Sequence, residues 1–393
     1  MFIDINNADN FYINGNQGEK VYLQGRQIYP RNYYNEYFTI EPLSSGYLSS
    51  EQDLYYTTDD ITWNFLSSNN TLYINDNKKY KIKGSGCRKL YYTGNYNVYG
   101  NILSLFYGDD FLPVRGVTLD GLFKNQTGLI NAENLILPNI LPSIDGAYSG
   151  MFYGCTSLVS APALPATTLY SRCYHEMFYH CTSLVSAPDL PATNLSYSCY
   201  ADMFIGCTSL VNVPTVLPAT TLYDWCYQGM FNGCTSLVNA PALPATTLYY
   251  LGYAGMFAGC TSLVNAPALP ATTLADKCYS GMFDGCTSLV NAPALPATTL
   301  YDYCYDGMFY GCTSLVNAPD LPATILEEYS YRRMFYRCTS LNHVKCLAQV
   351  FKTSSTTDWL NGVSSTGTFV KDANTTWPIG DSGIPTGWTV INN

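Results

Sequence analysis

Charge is scarce in this chain. Charged residues make up 12% of its 393 positions, with 19 Lys or Arg against 29 Asp or Glu and a net charge of −10. A nucleic-acid partner needs a basic face to meet phosphates, so that class is excluded. No stretch approaches the run of about 18 apolar residues that a membrane helix requires, and no membrane insertion is expected. The start, MFIDINNADNFYINGNQGEK, lacks the basic residues and apolar core of a leader peptide. Histidine is rarer still, confined to His175, His180 and His343. No CxxC pair, phosphate loop or GxSxG elbow occurs. The acid pairs Asp109-Asp110 and Glu327-Glu328 are adjacent in sequence, and adjacent helical positions do not face one another, which excludes a glycosidase arrangement there. No enzyme and no cofactor are expected.

Cys173, His175, His180 and Cys181 lie close together in sequence and suggest zinc. The two cysteines, however, recur in segments that have no histidine, so the expected metal content is none. Fifteen cysteines is an odd number, which leaves at least one unpaired in a monomer and favours free thiols and synthesis in a reducing compartment.

Apolar residues make up 47% of the chain and tyrosine alone supplies 36 positions, a side chain with a broad apolar ring and a polar tip suited to binding surfaces. Repetition is the dominant feature. Met-Phe recurs at Met151, Met177, Met203, Met230, Met256, Met282, Met308 and Met334, a spacing of 26 residues with one step of 27 at VNVPTVLP. The fifteen residues CTSLVNAPALPATTL are repeated verbatim from Cys234, Cys260 and Cys286. A fixed period of this size specifies a solenoid with atypical end repeats as caps, and the weaker copy GLFKNQTGLINAENLILP precedes the array.

Each repeat reads as two halves, giving an α/β solenoid of 26-residue coils. In ATTLYDYCYDGMFYG the threonines stand as an N-cap, Leu300, Cys304 and Met308 form one stripe of a short helix, and Gly311 takes a left-handed C-cap. TSLVNAPALP, with its prolines, reads as one short strand stacked on its copies as a parallel sheet. Helices need about 8–10 Å of lateral room and strands about 4.8 Å, so the coils are expected to fan into a curve. Two cysteine columns follow, one from Cys155 to Cys338 and one of Cys173, Cys199, Cys226, Cys278 and Cys304 with Gly252 and Ser330 substituting. Such substitutions indicate small buried sites, not obligatory bonds.

The unit CTSLVNAPALPATTLxxxCYxxMFxG resembles the BspA-like leucine-rich repeats found in surface proteins of gut Bacteroides relatives and in their phages, over roughly residues 119–345. The flanking segments NYNVYGNILSLFYGDDF, WLNGVSSTGTFVKDANTTW and GIPTGWTV are similar to stretches that bracket such arrays in gut-associated proteins. The resemblance implies adhesion or recognition and not catalysis. Ahead of the array, EKVYLQGRQIYPRN places Val21, Leu23 and Ile28 on one face of a hairpin turning at Gln24-Gly25. It looks like the attachment modules that begin phage virion proteins, which need no secretion leader because lysis releases them. The expected organisation is an attachment arm over residues 1–34, an independent antiparallel β module over 35–116 acting as a spacer, the solenoid over 117–345 and a C-terminal cap over 346–393.

Two surfaces are candidates for a ligand. On the helical face the variable positions Tyr170, Tyr223, Asp224, Trp225, Tyr249, Tyr250, Tyr301, Asp302 and Tyr303 offer ring faces for sugars and carboxylates for hydroxyls. The Tyr column from Tyr174 to Tyr331 is invariant and reads as structural. On the sheet face the uniform row Asn239, Asn265, Asn291 and Asn317 suits a repetitive polymer or simply satisfies the backbone. The expected function is a phage fibre or decoration protein in the virion, docked on other virion proteins by its arm and binding host-surface glycan or protein. A cell-surface adhesin of a gut bacterium and a purely structural virion component are the alternatives, and the oligomeric state is left open.

Overall fold

The computed structural model describes residues 21–23, 26–28, 36–109, 118–138, 144–164 and 166–393. Strands β1 (Val21–Leu23) and β2 (Arg26–Ile28) pair antiparallel with Val21 opposite Ile28 and Leu23 opposite Arg26. The turn at Gln24-Gly25 and the side chains of Val21, Leu23 and Ile28, on which the attachment reading depends, lie outside the described residues.

Alternation of buried and exposed residues builds eight further strands: β3 (Phe38–Pro42), β4 (Gly46–Ser50), β5 (Leu54–Thr57), β6 (Asn64–Leu66), β7 (Leu72–Ile74), β8 (Tyr80–Gly84), β9 (Leu90–Tyr92) and β10 (Tyr96–Asn101). They form one antiparallel sheet in the order β10-β3-β8-β5-β6 and a smaller one in the order β7-β4-β9. A single helical turn, α1 (Ser104–Tyr107), follows.

This module is not independent of the repeats. The free edge of β10 pairs in parallel with β11 (Leu129–Asn131) and β12 (Leu135–Ile136), so the antiparallel sheet is the template on which the first coil stacks. The approach is close: a Cβ at Gly128 would stand 2.1 Å from the Gly94 carbonyl oxygen. Phe38 stacks on Phe123 at 5.9 Å, and the buried core runs without interruption from Phe38 to Trp388. An edge strand covered in this way is protected from pairing with another chain. The spacer expected from the sequence is therefore a lid on the solenoid, sharing its core.

Within the coils the second correction appears. The segments read as short helices are successions of β-turns, and among the described residues no α-helix occurs after α1. Backbone N–H groups alternate in their use. Met177 and Tyr179 donate within their own coil, to the carbonyls of Tyr174 and Glu176, whereas Glu176, Phe178 and His180 donate to the next coil, to Ala201, Met203 and Ile205. Every fourth residue is left-handed, as at Tyr303 (φ 57°), Gly307 (φ 60°) and Gly311 (φ 67°). An α-helix has φ near −60° throughout and keeps its N–H groups internal, so it can do neither. The stripe Leu300, Cys304, Met308 has a period of four that serves a turn ribbon as well as a helix, and the recurring glycines decide between them. Gly311 is left-handed as expected, but as one step of the ribbon and not as a helix cap.

The expected fanning loses its cause with the helices. Both sides of the coil now repeat at near-strand spacing. The rings of Phe152, Phe178, Phe204, Phe231, Phe257, Phe283, Phe309 and Phe335 stack with centroids 5.4–5.8 Å apart and planes within 10°. Beside them the fully buried column Tyr174, Tyr200, Tyr227, Tyr253, Tyr279, Tyr305 and Tyr331 repeats at 5.6–6.0 Å. On the strand side, parallel bridges join Asn131, Ser160, Ser186 and Asn212, and then Asn239, Asn265, Asn291, Asn317 and His343. The step between Asn212 and Asn239 holds the 27-residue spacing, and there the pairing moves to Val216 and Ala242.

The parallel column continues past the last Met-Phe repeat through β13 (His343–Cys346), β14 (Thr368–Lys371) and β15 (Thr389–Asn392). Trp359 takes the next place in the aromatic core: its carbonyl accepts from Phe335 N–H, its ring stacks on Tyr331 at 6.1 Å, and Trp377 packs on it at 5.3 Å.

All fifteen cysteines are buried and unpaired. In the first column each thiol donates to the carbonyl of a phenylalanine one coil earlier, for example Cys260 to Phe231 and Cys338 to Phe309 at 3.1 and 2.9 Å. Burial pushes Cys207, Cys286 and Cys338 up to about 12, so they stay neutral and poorly nucleophilic at pH 8. A thiol reagent such as Ellman's reagent should therefore leave the native protein unmodified and titrate all thiols only after denaturation. Phe257→Ala should lower the unfolding free energy by about 3–5 kcal/mol in urea titration, because the ring is buried between two copies of itself.

Candidate functional site

Of the three left-handed positions in each turn ribbon, the second and third are mostly glycine. The first is glycine in the opening Met-Phe coil, at Gly146 (φ 67°), but in the seven coils after it, it is Arg172, Ser198, Trp225, Leu251, Lys277, Tyr303 and Tyr329. A left-handed residue with a Cβ costs about 1–2 kcal/mol, yet each of these seven coils carries a side chain here. With the two residues before it, this position forms a ridge along the turn side of the stack, the place where the candidate residues for the helical face fall.

Those residues do not all meet. Tyr223 and Tyr249 stack at 6.1 Å and are 51% and 40% exposed. Tyr170 and Tyr301 occupy the same column but are separated from that pair by Ser196 and Ala275. Trp225 lies 6.1 Å from Tyr250, and Tyr303 lies 4.7 Å from Tyr329. The gaps are filled by Tyr197 and Lys277, which the sequence did not single out, together with Arg172 and Arg332 from the variable positions. Tyr197 packs at 6.3 Å from Trp225 with Arg172 over its outer side at 5.9 Å. Lys277 bridges the rings of Tyr250 and Tyr303 at 5.8 and 5.3 Å, and Arg332 lies over Tyr303 and Tyr329 at 5.1 and 5.2 Å. The result is a continuous ladder of rings and cations: Arg172, Tyr197, Trp225, Tyr250, Lys277, Tyr303, Tyr329 and Arg332. Aligning the coils on their cysteines would have placed Tyr197 in the column of Tyr250, and Lys277 in that of Trp225.

The carboxylates of the ridge are partly committed. Asp224 Oδ1 accepts from Tyr250 N–H at 3.0 Å and Asp302 Oδ1 from Glu328 N–H at 3.1 Å, each bracing its own coil to the next. Asp306 holds Arg332 in a two-pronged ion pair at 2.7 and 2.8 Å, and the two carboxylate–guanidinium contacts fix that cation beside the rings. Such a surface offers flat apolar faces interleaved with hydrogen-bonding groups. It has the chemistry of sugar recognition, where ring faces stack and hydroxyls are bonded at the edges.

The row Asn239, Asn265, Asn291 and Asn317 belongs to the strand column instead. These residues are exposed, joined by parallel bridges, and flanked by the exposed valines Val238, Val264, Val290 and Val316. The cysteines considered with His175 and His180 do not converge on a metal: Cys173 and Cys181 are buried, while His180 is exposed and stacks on Tyr179 at 4.4 Å.

A stack of short coils joined by a parallel strand column, with leucines and phenylalanines pointing inward, defines a leucine-rich repeat protein. Residues 122–263 and 254–357 match the family described as BspA type leucine rich repeat region in six copies, and the chain belongs to that family. A leucine-rich repeat protein from Bacteroides ovatus ATCC 8483 is a similar solved structure, 21% identical over 57% of this chain and 69% of that one, with a TM-score of 0.33. Among curated proteins no relative matches the chain.

Arg332→Ala should lower the unfolding free energy by about 1–2 kcal/mol, since it strips a half-buried ion pair of its two charged hydrogen bonds. Arg333→Ala, whose contact with Asp358 is longer at 3.8 Å and more exposed, should change it by less than about 0.5 kcal/mol. Parallel chemical denaturation of the two variants checks the difference.

Proposed function

We infer that this protein is a non-enzymatic recognition rod that holds an extended polymer of a bacterial cell surface, a glycan, along its aromatic ridge. The observation that carries the reading is the ladder from Arg172 to Arg332, exposed at Arg172 and Tyr197 and half-buried beyond them. Tyr197, Trp225, Tyr250, Tyr303 and Tyr329 supply a ring in five of the coils and Lys277 a cation in the coil between Tyr250 and Tyr303, so a ligand lying along the stack meets ring faces interleaved with charge. The tethering of Asp224 and Asp302 to backbone N–H groups supports binding over acid–base catalysis. The strand-side Asn row is a uniform surface with no aromatic face, and the ridge is the better receptor for sugar rings.

The rod is carried on a phage particle as a fibre or decoration, docked on other virion proteins through the hairpin β1–β2. Family membership alone supports a second reading, an adhesin displayed by a gut bacterium, and mass spectrometry of purified particles against cell-envelope fractions separates the two.

Binding of the full chain to a glycan array and to intact host cells tests the ridge. Replacing both Tyr223 and Trp225 by alanine should weaken binding by about tenfold or more, two ring contacts at about 0.5–1.5 kcal/mol each. Binding that survives the double change moves the site to the strand face. No binding to any host component makes the protein a structural decoration.

A further inference from the structure

One column of the turn ribbon breaks its own rule on two adjacent coils. At the left-handed position before each Met, the chain has Gly150, Gly229, Gly255, Gly281 and Gly307, but Glu176 and Asp202 at φ 53° and 57°. The other exception, Arg333 at φ 51°, is answered by the opposite charge of Asp358 on the next coil. Glu176 and Asp202 instead face one another as like charges, with a histidine beside them. His175 Nδ1 lies 3.9 Å from Glu176 Oε2, and donor atoms of His175, Glu176 and Asp202 all fall within 4.8 Å of one another. The three residues are half-buried, and the Asp202 carboxylate has no hydrogen bond or ion pair among the described residues. The neighbouring cation, Arg172, is turned onto the Tyr197 ring. The Asp202 carboxylate sits over Gly229, whose missing Cβ would stand 2.2 Å from its Oδ1, so the next coil leaves room for it.

We propose that His175, Glu176 and Asp202 form a site for a divalent metal ion of the zinc type, clamping two adjacent coils. One imidazole nitrogen and two carboxylates are the donor set such an ion takes, with metal–ligand distances of about 2.0–2.2 Å. Closing the present spacing onto a common centre calls for movement of the three half-buried side chains. The ion supplies the positive charge that the column lacks at this step, as Asp358 supplies the negative charge opposite Arg333. It leaves further coordination positions open to water. This site stands apart from the ridge reading and does not depend on it.

The test uses the full chain stripped with chelator and titrated with Zn2+ alone by calorimetry, and with Co2+ followed by its visible absorption. Two variants restore residues that the same columns carry in other coils: Asp202→Gly, as at Gly229 and Gly255, and His175→Ala, as at Ala201 and Ala254. Both should keep the native circular dichroism and melting behaviour of the metal-free protein. The unaltered chain should show one saturable site per chain and melt at a higher temperature with Zn2+ present. Loss of a group merely supporting a ligand weakens metal sites by about 10–100-fold, so losing a ligand should weaken this one by about a hundredfold or more and abolish the thermal shift. No saturable uptake by the unaltered chain, or equal uptake by Asp202→Gly, overturns the proposal.

Discussion

Everything in this molecule depends on a division of labour among backbone amides. On the turn side, alternate N–H groups close the chain into tight turns while those between them reach across to the next coil. A helix would keep all of them for itself and hold its neighbours about 8–10 Å away. Sharing them brings the coils to the spacing of stacked aromatic rings, and the phenylalanine and tyrosine columns follow from that distance. Burial of each ring against its own copy contributes about 1.5–3 kcal/mol, and each coil repeats the gain. The thiol column adds a reverse link, since each cysteine donates back to the coil before it.

That geometry explains why fifteen residues recur to the letter. A residue inside the stack is packed between two copies of itself, and a change of one methylene is felt on both sides. The ridge has no such restriction. Its first left-handed position tolerates Trp225, Leu251, Lys277 and Tyr303 in succession, because the side chain leaves the stack and meets only its ridge neighbours.

Much of this was legible in the sequence. The period of 26, the inward leucines and phenylalanines, the strand with its prolines and the burial of both cysteine columns follow from spacing and residue type. The helix did not follow, because Leu300, Cys304 and Met308 satisfy a four-residue period that two different backbones share. Gly307 and Gly311, four apart and both left-handed, carried the distinction. The ladder was half visible: Trp225, Tyr250 and Tyr303 stood out as variable aromatics, while Lys277 and Tyr197 acquire meaning only from rings one coil away. Nothing local to β10 announces that its far edge seeds the solenoid, since that pairing joins residues more than thirty positions apart.

The verbatim copies from Cys234, Cys260 and Cys286 carry a consequence for how such a protein changes size. Along the fifteen constant residues each of these coils presents the same donors and acceptors on its two flanks, so there any one fits between any two others. Insertion or loss of a whole 26-residue unit in this stretch creates no new junction among the fifteen constant residues, re-pairs only the ridge, and disturbs neither end of the rod. Reach thereby becomes a quantity that can vary by integers, with the lid at one end and Trp359 at the other left untouched.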